Sequence, residues 1–296
     1  MGFVILEAPS ILGLKPSGVE RLPEALLTAG LGDTLGARLG GRVSPRIPYR
    51  RLRDPITPVL NVAALVEFSP RLADAVESVL DQGDFPLVLG GDCSILLGTA
   101  LALRRRGRFG LLFIDGHADF YQPEAEPGGE AASMDLALAT GRGPEVLTNL
   151  EGRQPLVRDE DVVLLGYRDA QEQAAHGSQP LPRDLLAFDL ARLRQTGAEA
   201  IAQAAIEHLT RPDGPSEGFW IHIDADVLDD DIMPAVDYRL PGGLSWDELT
   251  TVLRVAFQSA RVAGLELTVY NPALDPDGNG ARGLANTIAQ AATHGL

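Results

Sequence analysis

The chain has 296 residues, 45% hydrophobic and 22% charged, a globular composition that excludes disordered, collagenous and coiled-coil classes. Twenty-five basic residues against 41 acidic ones give a net charge of −16, and a field of that sign repels DNA, RNA and other polyanions. One cysteine, Cys93, rules out an intrachain disulfide, the opening MGFVILEAPSILGL has no basic n-region, and no apolar run reaches membrane-spanning length, so a cytoplasmic protein with neither nucleic-acid nor membrane partner is expected.

Along the chain, short β-rich apolar runs alternate with stretches of helical periodicity. Residues 3–9 open the series as a strand. A helix over 71–82 leads to a strand over 85–92, a helix over 95–106 and a strand over 109–115. Strands follow at 161–167 and 219–224 with a helix at 198–211 between them, and the series closes with a helix over 245–260 and a strand over 262–270. Ser245 with Glu248 three residues on is a capping box, so the last helix is expected to start there. The Pro/Gly-rich segments 122–129 and 272–282 read as loops. Strand alternating with helix predicts an α/β fold, a mostly parallel sheet with helices on both faces. No linker, repeat or composition break divides it, so one domain over 1–296 is expected.

In such sheets ligands sit beyond the carboxyl ends of the strands. The strand over 109–115 ends in Asp115, Gly116, His117, Ala118 and Asp119, and the strand over 219–224 runs into Asp224, Ala225 and Asp226. Four carboxylates and an imidazole gathered there would leave some of the acids protonated, or push them apart, unless a cation sits between them. One such Asp alone is an ordinary turn former or helix cap. The five together read as a metal site. Asp229, Asp230 and Asp231 read as a turn or a solvated rim. A third strand end carries Gly90, Gly91, Asp92, Cys93 and Ser94, where the glycine pair permits close backbone approach and Asp92 or Ser94 could cap the next helix.

Taken together, GGDCS (90–94), DGHAD (115–119) and HIDADVLDDDIMP (222–234) resemble GGDHS, DAHxD and SxDxDxxDPxxxP of the arginase/agmatinase family, the ureohydrolases. LGYRD (165–169), LPGGLSWDEL (240–249) and LELTVYNP (265–272) fit further family segments in the same order. The resemblance implies the three-layer arginase-like fold, a homo-oligomer, and a binuclear centre, usually manganese, whose bridging hydroxide attacks the carbon of a small-molecule guanidinium or amidine. Carried over residue by residue, position 93, Asp115, Asp119 and Asp224 hold one metal. Asp115, His117, Asp224 and Asp226 hold the other. Asp119, beside the hydroxide, is the catalytic candidate that orients it or stabilises charge.

Four departures limit what is inherited. The ligand His of GGDHS is Cys93 here, a soft donor that disfavours Mn2+ and admits Zn2+ or Fe2+, with one ion or two. Val269 occupies the family's guanidinium-gripping Glu, and Glu266 falls on the opposite strand face. Ala132 aligns with a proton-transferring His, and Gln171 with an Asp that reads a substrate amino group. The acidic loop 121–135 offers Glu124, Glu126, Glu130 and Asp135 either as new substrate anchors or as solvated charge. The reading is a metal-dependent hydrolase of non-peptide carbon–nitrogen bonds in a linear amidine, distinct from arginase. The alternative is a non-catalytic family member that binds metal or a metabolite.

Overall fold

The computed structural model describes residues 2–293. Its centre is one eight-stranded sheet in the order β2-β1-β3-β8-β7-β4-β5-β6, made of β1 (Phe3–Ala8), β2 (Arg38–Arg42), β3 (Phe85–Gly90), β4 (Gly110–Ile114), β5 (Val162–Leu165), β6 (Leu186–Phe188), β7 (Phe219–Asp224) and β8 (Val262–Thr268). Every strand pairing is parallel. The inner strands β3, β4, β5 and β7 are buried along their whole length, as continuous apolar runs covered on both faces should be.

Alternate residues feed two separate cores. Ile5, Leu87, Leu112, Ile221 and Leu265 pack on one face with α9 (Ala198–Leu209), α10 (Trp246–Gln258) and α11 (Asn279–Thr293). Val4, Val88, Leu111, Phe113 and Trp220 pack on the other with α3 (Val62–Asp81) and α4 (Leu96–Arg106). Three layers result, as expected.

Ser245 and Glu248 form the reciprocal capping box at the head of α10. α11 follows β8, however, and its first residues, 279–282, are helical where the Pro/Gly-rich pattern predicts loop. α3 likewise starts at Val62 and runs through Pro70. The short elements α1 (Leu22–Thr28) and α2 (Leu31–Leu35), then α5 (Asp135–Ala139), α6 (Glu145–Thr148), α7 (Ala170–His176) and α8 (Leu190–Thr196), decorate the loops. No helix among the described residues is long and apolar enough to cross a membrane.

The consequence for function lies in the strand order. β3, β8, β7 and β4 are consecutive neighbours, so the segments GGDCS, Thr268–Val269, Asp224–Asp226 and DGHAD, distant in sequence, leave the sheet side by side.

Candidate metal centre

Register sets the depth of each side chain. Ile114 pairs with Ile223, so Asp115 and Asp224 emerge at one level, and Asp224 pairs with Thr268. One pleat lower on the same face, Phe113 pairs with His222 and His222 with Glu266. Past β4 the backbone turns sharply. Asp119 takes a left-handed φ of 46°, uncommon for a residue with a side chain and concentrated at functional sites.

Cys93 opens a short 3-10 turn capped by Asp92, whose Oδ1 accepts from Ser94 N at 3.0 Å. Gly91 before it lies against the Ser10 backbone, where no Cβ would fit. The loop after β7 is held by Arg168, which donates to the carbonyls of Asp226, Leu228 and Leu240 at 2.9, 3.3 and 3.1 Å.

All six sequence candidates meet at this end of the sheet. One donor atom from each of Asp115, His117 and Asp226 lies within 4.8 Å of the others, and so does one from each of Cys93, Asp115 and Asp119. His117 Nδ1 is 2.9 Å from Asp226 Oδ2 and 3.7 Å from Asp115 Oδ1. Cys93 Sγ donates to Asp224 Oδ2 at 2.8 Å. His117 N donates to Asp115 Oδ1 and Asp226 N to Asp224 Oδ1, both at 2.7 Å.

Electrostatics expose the cost of this crowding. Burial, then Asp226, pushes Asp115 up to about 6. Burial and carboxylate neighbours also hold Asp119 and Asp224 well above the usual range, and burial followed by Asp224 raises the Cys93 thiol. Asp226 alone among them is lowered: burial works against its charge, and the His117 imidazole outweighs it. Asp115 Oδ2 is buried with no hydrogen-bond partner. Oxygen-rich donors with one imidazole, carboxylates forced toward protonation and an orphaned carboxylate oxygen together fit a divalent cation.

Above the cluster lies a cavity of about 210 Å³ lined by Cys93, His117, Asp119, Asp224 and Asp226 on its floor and by Tyr121, Glu126, Ala132, Glu172, His176, Tyr238 and Val269 on its walls. Both apolar replacements, Ala132 and Val269, therefore face the site. Val269 sits at φ 64°, an unusual conformation for a β-branched residue. Of the acidic loop, Glu124 is exposed. Glu126 accepts from Gly128 N and Glu130 N, and Glu130, fully buried, pairs with Lys15 at 2.5 Å and accepts from Tyr238 Oη at 2.7 Å. Asp135 is fully buried beside Asp119.

Sequence reasoning missed Glu172 and Tyr238 on the walls, and His222 beneath the floor. Glu172 directly follows Gln171, and that adjacency was the available signal. Asp229 to Asp231 form a turn, with Asp231 N donating to Asp229 Oδ1 at 3.0 Å.

A parallel sheet that gathers carboxylates, imidazole and thiol at the ends of its central strands defines an α/β protein built to hold divalent metal. The Arginase family profile matches residues 2–294, and the chain belongs to that family. Arginase from Bacillus caldovelox is 30% identical over 280 residues, 92% of this chain and 91% of that protein. Arginase from Staphylococcus aureus strain COL is 28% identical over 286 residues, 94% and 92% of the two chains. The solved Bacillus caldovelox arginase superposes with a TM-score of 0.86 at 26% identity, covering 100% of this chain and 98% of that one. Proclavaminate amidino hydrolase from Streptomyces clavuligerus shares the fold, with a TM-score of 0.68 at 15% identity over 100% and 92% of the chains. Membership supports a metal-dependent amidino hydrolase acting on a small molecule.

Proposed function

We propose that this chain, as one domain, hydrolyses a non-peptide carbon–nitrogen bond in a linear amidine or guanidino-type compound other than arginine. Asp115, His117, Asp119, Asp224 and Asp226 hold divalent metal, with Cys93 as a sixth donor. The observation that carries this reading is their convergence on the floor of one cavity. A cytoplasmic homo-oligomer using manganese, or zinc or iron where Cys93 binds, belongs to the same reading.

Bound metal supplies Lewis-acid chemistry, polarising the amidine and lowering the pKa of water. The chain's own residues do the rest. His117 and Asp226 lock each other's orientation through their 2.9 Å contact, and Arg168 fixes the loop that carries Asp226. Asp119, the one carboxylate of the cluster held at a left-handed φ, lines the cavity, and on this reading it orients the attacking water or stabilises developing charge. The acidic wall of Glu126 and Glu172 attracts a cation. With Val269 and Ala132 in that wall, no carboxylate grips the guanidinium as in the family pattern, which supports a substrate other than arginine.

Those same two residues favour a second reading, a family member that binds metal without turnover. A screen of guanidino and amidino compounds with metal-reconstituted protein, scored for urea or ammonia release, separates the two. Turnover of an amidine with little or none of arginine supports the hydrolase. Stoichiometric metal without turnover of any compound supports the binder.

A further inference from the structure

Beneath the cavity floor His222 and Glu266, cross-strand partners in β7 and β8, are both fully buried. His222 Nδ1 lies 2.8 Å from Glu266 Oε1, and Glu266 Oε2 accepts from Thr99 Oγ1 at 2.9 Å. The imidazole stacks on Phe113 with centroids 4.5 Å apart and planes 4° from parallel. Carboxylate and phenyl ring thus fix the imidazole with Nδ1 facing Glu266, so the neutral tautomer that donates there carries its lone pair on Nε2. Nε2 is buried without a partner.

Asp135, at the start of α5, is in a similar state. Its Oδ1 accepts from Leu136 N at 2.7 Å, while Oδ2 is buried with no N–H or O–H donor and the Asp119 carboxyl lies within hydrogen-bonding reach of Asp135. One donor atom from each of Cys93, Asp135 and His222 lies within 4.8 Å of the others. Unmet buried polar atoms of this kind are destabilising, the more so when the group is charged. One cation would satisfy all three side chains.

We propose that Cys93, Asp135 and His222 form a site for one thiophilic divalent cation of the zinc class, with Glu266 as the residue that positions His222. A thiolate, an imidazole and a carboxylate form a donor set that zinc accepts and that manganese, which prefers oxygen, does not. Donors around a tetrahedral zinc stand about 3.4–3.8 Å apart, so groups already within 4.8 Å need only small side-chain rotations. A carboxylate behind the ligand imidazole is the usual support for such a ligand. Binding releases the Cys93 thiol proton and ends its donation to Asp224. Asp115 and Asp119, each with a donor atom within 4.8 Å of Cys93, flank the same sulfur. In the family motifs positions 93 and 222 are His and Ser; here the imidazole lost at Cys93 reappears two strands over, on β7, and one pleat down. The site shares Cys93 with the hydrolase reading and does not depend on turnover.

The test uses the full-length chain, stripped of metal and titrated with Co2+ and Zn2+. Expected are one Co2+ per chain that carries a near-ultraviolet thiolate-to-cobalt band, apart from any Co2+ taken by the acidic cluster, loss of that band on addition of Zn2+, and Zn2+ affinity weakened tenfold or more in both His222→Asn and Asp135→Asn. Glu266→Gln weakens it by about tenfold. Mn2+ binding at the acidic cluster persists in all three. Using two substitutions on separate elements, each checked by circular dichroism, keeps the result readable if one fails to fold. Absence of the thiolate band in the parent overturns the proposal. So does an unchanged band and Zn2+ affinity in the folded variants, which would leave Cys93 with Asp115 and Asp119 alone. Failure of the hydrolase reading shows separately, as lack of turnover by protein that binds both metals.

Discussion

Cys93 Sγ donates to Asp224 Oδ2 at 2.8 Å, joining the end of β3 to the end of β7 across the intervening β8. Thr268 of β8 stands under the same sulfur, its Oγ1 3.3 Å away. The thiol therefore occupies the centre of the floor, where its softness decides which metal the site prefers.

Cys93→His should raise Mn2+ affinity by tenfold or more, since imidazole is the better donor for that ion. Calorimetric titration of metal-free parent and variant measures it. If the variant binds no more manganese than the parent, Cys93 lies outside the metal shell.

Val269→Glu places a carboxylate in the cavity wall beside Cys93. Affinity for guanidinium compounds should increase by roughly tenfold, a gain of about 1.4 kcal/mol, within the range of a charge-assisted hydrogen bond. Competition by guanidinium ion, read as an inhibition constant or by calorimetry, checks it. An unchanged affinity would show that position 269 does not touch the substrate.

Burial and Asp226 push Asp115 up to about 6 in the fold, against 3.8 ordinarily. Between those values the native state binds more protons than the unfolded chain, so this contribution is fully present below about pH 4 and is lost as pH rises through about 6. Metal-free parent should therefore lose stability across that window relative to Asp115→Asn, which lacks the titration. Melting temperatures of both proteins from pH 4 to pH 7 provide the comparison, and parallel curves would refute it. Bound metal should offset the loss, because it selects the deprotonated ligands.

Lys15→Met leaves Glu130, fully buried, with Tyr238 as its remaining side-chain donor. A loss of about 1–3 kcal/mol is expected, toward the lower end because Lys15 is half exposed. Urea unfolding measures the loss, and an unchanged midpoint would mean that Tyr238 alone satisfies Glu130.

The strands that frame the site were legible because a strand buried on both faces reads as an unbroken apolar run, as in FPLVLG of β3 and FWIHID of β7. β2 and β6 were not: Arg38–Arg42 is exposed throughout at the sheet edge, and Leu186–Phe188 is three half-buried residues. α11 escaped because its buried face is mostly Gly, Ala and Thr, with Leu284 and Ile288 as its only large residues. Asp115, His117, Asp119, Asp224 and Asp226 stood out because they cluster at the ends of two apolar runs, within five residues in one case and three in the other. His222, inside the run, looked like core. Asp135 sits in α5 and reaches Cys93 only through the folded path of the 121–135 loop. Glu130 read as solvated charge or anchor, and its burial depends on Lys15 and Tyr238, both remote in sequence.

Elemental analysis of protein purified without chelators tests the metal centre most directly. At least one transition-metal ion per chain is expected in the parent, with a clear loss of metal in a folded His117→Asn, Asp226→Asn double variant. A folded parent that carries no stoichiometric transition metal, and takes none up when supplied with Mn2+ or Zn2+, would contradict it.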